Sequence, residues 1–342
     1  MTVENTYGAI ATARLGTHGP EVGVQGLGCM GMSFAYGPTD AEEARATLDR
    51  ALELGVTLYD TADVYGMGEN EKFLAPFVKA HRDEIVLATK FALAIDPGEP
   101  TKRRIDNSPS YIRSSVEASL RRLGTETIDL YYMHRRDPDV PIEEAVGAMA
   151  DLVTAGKVKH LGLSEVTGDE LRAAHAVHPI AAVQSEWSLF SRDIERGVVP
   201  AAAELGVALV PYSPLGRGFL TGAFVNADKE LGEDDFRRQQ PRFTGANAAA
   251  NAALLAPVRT VAEAHGASLG QIALAWVRQQ SAVHGLPVVP IPGTRKRTRV
   301  EENTAATRIT LTDDELALLD PIAADVAGDR YADMTFTSAG RE

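Results

Sequence analysis

Four ionisable side chains fall at or just after the ends of β-rich runs: Asp60 in TLYDT, Tyr65 in DTADVYG, Lys90 in LATKF and His134 in YYMHRR. Singly, each has an ordinary use. An aspartate there caps a helix, a loop tyrosine packs, a strand lysine reaches for solvent, and a histidine sits satisfied in a core. As a set they point to chemistry. A lysine between Thr89 and Phe91 is costly to bury alone, because an isolated ammonium loses its hydration, so it demands a carboxylate. Asp60 on the adjacent run is the obvious one. A phenol ordinarily ionises near pH 10. A cation beside it favours the phenolate, so Lys90 is expected to lower the Tyr65 value and make it a stronger acid near neutral pH. His134 can donate to a carbonyl oxygen, orienting it and stabilising the charge that collects there when a hydride arrives. The set suits reduction of a carbonyl group.

Bringing groups from three successive runs to one place needs a repeating scaffold. Strand candidates at 24–30, 57–61, 85–91, 128–134, 158–164, 180–184, 207–212 and 288–291 alternate with helix-like segments at 40–54, 69–81, 110–123, 142–155, 169–175, 195–205 and 255–279, the last broken near Gly266. Thr39 or Asp40, and Ser108-Pro109, supply helix starts. Eight such repeats predict an α/β protein, a (β/α)₈ barrel forming one domain over residues 1–342, with functional groups at the C-terminal ends of the strands. Two pieces fall outside the repeat. Residues 11–25 predict a β-hairpin turning at 17–20 and capping the barrel floor. Residues 222–251, rich in charge and small polar residues, predict a long, irregular, mobile loop after strand seven, over the active-site face.

Gly26-Leu27-Gly28-Cys29-Met30-Gly31 matches the G-x-G-x-x-G fingerprint of doubly wound dinucleotide-binding folds, with Asp49 about twenty residues on. The fingerprint works only if a helix opens at the glycines. Gly37-Pro38 follows too closely for that, so the glycines are read as letting a strand and its loop pass close to a ligand or neighbouring backbone.

Composition narrows the class. The chain has 342 residues, 44% of them apolar, which is ample for a large core. Its formal charge of -13 disfavours nucleic acid and anionic membrane surfaces as partners. Cys29 is the sole cysteine, so no intrachain disulfide forms. The first residues lack a signal-type apolar stretch, and no apolar run nears the roughly 18 residues of a membrane span. A soluble, cytoplasmic protein is expected. His175 and His178 lie three apart but have no third ligand nearby, and no metal site is expected. A charged surface with few apolar stripes carries no signature of a particular oligomer.

At the four reactive residues the chain resembles the aldo-keto reductase family, over nearly its whole length: Asp60-x₄-Tyr65 followed by Gly66, Lys90 in ATKF, and His134 ending IDLYYMH. The resemblance implies direct hydride transfer from C4 of a reduced nicotinamide to an aldehyde or ketone, with Tyr65 as general acid and Asp60, Lys90 and His134 completing the tetrad. It also implies cofactor contacts. Tyr212 stacks on the nicotinamide, and Ser164 and Gln184 bind its carboxamide. Ser213, Pro214, Leu215, Gly216, Arg217 and Gly218 line the pyrophosphate. Gly31, Met32, Asp60, Ile291, Gly293, Thr294, Arg295, Arg299, Glu302 and Asn303 complete the set. The basic run Arg295-Lys296-Arg297-Thr298-Arg299 is read neither as a nucleic-acid patch nor as a mere solvated face. By the resemblance it holds the adenosine 2′-phosphate, matching Arg299 best and then Arg295 or Lys296, which favours NADPH over NADH. In one departure, Glu165 stands where many relatives carry asparagine, and is read as structural. Pocket walls are expected from Met32, Phe34, Trp187 and parts of 222–251. The competing reading is a non-catalytic, NADPH-binding regulatory barrel, against which the intact tetrad argues.

Overall fold

Runs such as VLATKF and IDLYYM are apolar on both faces, as strands of a sheet covered on both sides must be. In a computed structural model describing residues 9–96 and 99–342, seven parallel strands follow one another in chain order: Leu27–Gly28, Leu58–Asp60, Val86–Phe91, Ile128–Met133, Val158–Ser164, Ile180–Gln184 and Ala208–Leu209. Residues 287–293 join the two edges. Leu209 N donates to Pro287 O at 2.9 Å and Ile291 N to Pro211 O at 3.0 Å, while Gly26 N donates to Pro290 O at 3.0 Å on the other side. The barrel is thereby closed as (β/α)₈. Pro287, Pro290 and Pro292 withhold three donors, so this eighth strand makes isolated bridges instead of a regular ladder.

Helices Ala41–Glu53, Glu69–His81, Pro109–Leu123, Ile142–Thr154, Gly168–Val177, Val198–Leu205 and Leu269–His284 follow strands one to seven, with Ala256–His265 preceding the last of them. Asp40 caps the first through Glu42 N and Glu43 N, and Ser108 caps the third through Tyr111 N. No helix opens at the Gly26–Gly31 loop, where a short turn, Met30–Met32, precedes the helix at Ala41. The predicted hairpin is present as Thr12–Arg14 paired with Glu21–Gly23. Its Leu15 and Val22 pack with Leu58, Ala88, Leu130 and Ala208 inside the barrel, closing the floor opposite the site.

Three segments differ from expectation. After strand three the chain forms an antiparallel hairpin, Leu93–Asp96 with Glu99–Ile105, where no element was predicted. Residues 222–251 are not an irregular mobile loop: they form the short helices Ala227–Glu230 and Gly245–Ala253 with two tight turns between them. The segment is tied down by Phe236 N donating to Ala35 O at 3.2 Å and by Asn251 bonding Arg242 O, Ala327 O and Ala327 N. Beyond helices Arg297–Ala305 and Asp313–Leu319, residues 326–342 return across the strand ends with Arg330, Thr337 and Ser338 buried.

Candidate active site

Parallel register sets the site. Asp60 stands opposite Ala88, and Lys90 opposite Tyr132, so the Asp60 and Lys90 side chains meet at the C-terminal mouth. Lys90 Nζ donates to Asp60 Oδ1 and, at 2.8 Å, to Thr61 O. The second carboxylate oxygen accepts from Gln184 Nε2 at 2.8 Å. Tyr65 reaches the same point from a tight turn in which Gly66, Met67 and Gly68 all take positive φ (58°, 55° and 89°), a conformation that two glycines make accessible. The Lys90 ammonium lies 5.3 Å from the centre of its ring. His134 lies edge-on to the Tyr65 ring with centroids 5.9 Å apart, and Phe34 stacks on Tyr65 at 6.4 Å. The four predicted residues are together.

Electrostatics correct one expectation. Burial pushes the Tyr65 hydroxyl above its ordinary value of 10, and the opposing pull of Lys90 does not overcome it. Desolvation of the phenolate outweighs one neighbouring cation whose own charge is shared with Asp60. Lys90 is held charged, since Asp60 and Tyr65 more than offset its burial.

The carboxylate of Glu165 is the most heavily bonded in the mouth. It accepts from both ends of the Arg330 guanidinium at 3.1 and 3.2 Å. The Tyr212 hydroxyl donates to it at 2.8 Å, as do Glu186 N at 3.2 Å and Ser338 N at 3.1 Å. Although burial raises its pKa, Arg330 and Arg135 win and hold it at about 2. The structural reading of Glu165 therefore stands: it fastens the C-terminal segment to strand five and to Tyr212. Arg217 adds a second tie, donating to the Tyr331 hydroxyl at 2.7 Å while lying 5.3 Å from the Phe236 ring centre.

Ser164 ends strand five, with its hydroxyl 3.3 Å from Arg135 Nη1. Residues Ser213, Gly216, Arg217 and Gly218 have left-handed φ of 48°, 53°, 55° and 94°, giving the concave backbone that suits anions. Ile291, Gly293 and Thr294 follow on the closing strand. The Arg295 guanidinium is committed to Tyr36 O at 2.8 Å and Gly37 O at 3.0 Å, and Arg297 to Glu43 at 2.8 Å. Glu302 takes Ser268 Oγ at 2.6 Å and Arg299 at 2.5 Å, with Asn303 buried beside it. Lys296 is exposed, and Arg297 and Arg299, each paired with a glutamate, are half-exposed at the start of helix Arg297–Ala305, the end that bears partial positive charge. This donor set fits a dinucleotide: an aromatic ring and amides at one end, a cupped backbone in the middle, and cations at the other.

Two expected pocket walls lie elsewhere. Trp187 is fully buried, its Nε1 donating to Glu195 at 2.9 Å, and Met32 packs its side chain against Leu27, Cys29 and Ala44 behind the strand. Sequence reasoning also missed Arg135, Arg330, Tyr331 and Phe336. The last three sit in a stretch without helical or strand periodicity, and only their aromatic and basic character set them apart. Among the described residues no group of three metal-ligating side chains is found, and no helix is long and apolar enough to cross a membrane.

Comparison with known proteins gives a consistent result. The model of the aldo/keto reductase family matches residues 26–324. The chain is 44% identical to a probable aldo-keto reductase 1 of Glycine max, covering 95% of this chain and 93% of that one. Among solved structures it is similar to the glycerol dehydrogenase of Gluconobacter oxydans, with a TM-score of 0.81, 30% identity, and 93% and 96% of the two chains covered. It is also similar to an aldo-keto reductase of Bacillus halodurans in its holo form, with a TM-score of 0.74, 27% identity, and 92% and 96% covered.

Proposed function

The chain belongs to the aldo/keto reductase family and is an oxidoreductase that acts on carbonyl groups with a nicotinamide cofactor; on that premise we propose that it reduces aldehydes or ketones to alcohols with NADPH, through Asp60, Tyr65, Lys90 and His134 and with the whole chain as one barrel domain. The buried Asp60–Lys90 pair, with the Tyr65 ring centred 5.3 Å from the ammonium, carries this reading. Reduced nicotinamide, when bound, supplies the hydride. The protein has to hold the carbonyl and deliver a proton. His134 donates to the carbonyl oxygen and orients it. Tyr65 gives that oxygen its proton, and Lys90 stabilises the phenolate left behind. Asp60 keeps Lys90 in place and charged, and Gln184 in turn holds Asp60.

Tyr212 would face the nicotinamide ring, with Ser164 and Gln184 at its carboxamide and residues 213–218 along the pyrophosphate. Lys296 and Arg299 would meet the 2′-phosphate, which supports NADPH over NADH. The test is fluorescence titration with both nucleotides, followed by turnover of 4-nitrobenzaldehyde. NADPH is expected to bind more tightly, and Tyr65→Phe to keep NADPH binding while losing about 10²-fold or more in kcat. Unchanged turnover in Tyr65→Phe would refute the mechanism. Tight NADPH binding with no turnover across an aldehyde panel would favour the non-catalytic barrel.

A further inference from the structure

Arg135 follows His134 directly and is buried, 8% exposed, yet among the described residues it has no carboxylate within ion-pair distance. Its buried neighbours are better placed: Arg330 pairs with Glu165 at 3.1 Å, and Arg217 and Arg242 each approach Glu186 at 3.9 Å. Both hydrogen bonds of Arg135 leave from Nη1, to His134 O at 2.7 Å and Ser164 Oγ at 3.3 Å. The Nε–Nη2 edge donates to none of the described groups. That edge is the one whose two parallel N–H bonds match a carboxylate.

The guanidinium is also fixed in position. It lies 6.0 Å from the Tyr212 ring centre and 5.6 Å from that of Phe336. Its own carbonyl accepts from Asn107 Nδ2 at 3.0 Å. Around it, Arg217, Arg242 and Arg330 pair with Glu186, Glu165 and Asp193. Arg135 is the guanidinium among them that bonds no carboxylate of the described residues, although the charge of Glu165 acts on it from a greater distance. A buried cation gains most from a carboxylate bonded to it directly, and a lined cleft of one sign concentrates ligands of the other.

We infer that Arg135 recognises a carboxylate on the substrate, so that the carbonyl compounds this enzyme handles best are small aldehydes or ketones bearing a carboxylate close to the carbonyl. The inference rests on the reductase reading above. Arg135 is a specificity residue: it grips the substrate's anionic group through Nε and Nη2 while His134, one residue earlier, takes the carbonyl.

The experiment compares 2-carboxybenzaldehyde with its methyl ester, methyl 2-formylbenzoate, as substrates with NADPH, for the wild type, Arg135→Met and Arg135→Lys. The wild type is expected to favour the carboxylate in kcat/KM by at least about tenfold, as hydrogen bonds to a charged group do. In Arg135→Met the ratio should collapse toward one, mainly through KM of the acid. Arg135→Lys should restore it in part, because it returns the charge without the fork. Equal wild-type values for acid and ester would overturn the inference without recourse to any variant. So would an Arg135→Met that lowers both substrates equally or weakens NADPH binding in parallel, which marks a brace or a cofactor contact. Absence of turnover with either aldehyde in the wild type would remove the reductase reading itself.

Discussion

Tyr65 and Asp63, two residues apart on one turn, are both shifted by burial, with opposite consequences. For Tyr65 burial raises the hydroxyl above its ordinary value, so the acid that the proposed mechanism needs for reduction is present throughout the neutral range. The base needed for the reverse reaction is scarce there. Alcohol oxidation with NADP⁺ should therefore rise about tenfold per pH unit between 7 and 10, while aldehyde reduction shows no decline attributable to Tyr65; a level oxidation profile would count against Tyr65 as the proton carrier. Asp63 has a buried Oδ1 with no hydrogen-bond partner, and burial together with Glu71 raises its carboxyl to about 8. The folded state thus holds a proton that the unfolded chain has released, and stability falls as pH rises from 3.8 toward 8. Asp63→Asn escapes this penalty. Its advantage in urea unfolding should grow by about 1.4 kcal/mol per pH unit across that window. At this scale the meeting of Asp60 and Lys90 could be read from the sequence, because Lys90 inside an apolar run demanded a carboxylate. The sign of the Tyr65 shift and the lack of a bonded carboxylate at Arg135 could not be, since both depend on what surrounds a group in three dimensions.

Strands four and five fit because Gly162 makes room for Tyr132. A Cβ at position 162 would lie 2.4 Å from the Tyr132 ring, and the two residues are register partners. Gly162→Ala should cost about 1–3 kcal/mol of stability or more, read as a lower midpoint in chemical denaturation, and should disturb Lys90, whose ammonium lies 5.9 Å from the same ring. The strand–helix rhythm was legible because both-face apolar runs and caps such as Asp40 are local signals. The hairpin Leu93–Asp96 with Glu99–Ile105 was not, since its basic, proline-broken sequence lacks the apolar alternation of a half-buried strand. Nor were the short helices of 222–251, whose small residues gain order from tertiary anchors such as Asn251 and not from periodicity.

Across the whole molecule, Glu165 links strand five to a segment more than 160 residues later through Arg330. Because its carboxyl is held at about 2 against an ordinary 4.5, its stabilisation is fully present above 4.5 and is lost as pH falls toward 2. Glu165→Gln should therefore lose about 3 kcal/mol at pH 7, and the difference from wild type should shrink progressively in unfolding measurements below pH 4.5. A loss independent of pH would point to packing instead of charge. The family resemblance covered the barrel and the segments it assigns to the cofactor but gave no account of this closure, because the glutamate's partners lie in a stretch with no pattern of its own.

The same tie has a consequence during biosynthesis. The chain is made from its N-terminus, so strand five and Glu165 emerge long before Arg330 and Ser338. Until those residues leave the ribosome, the Glu165 carboxylate lacks its bidentate Arg330 partner and has only Arg135, Tyr212 and Glu186 N to offset its burial. The order of synthesis thus puts the fastening of the mouth through Arg330 after all eight strands have been made.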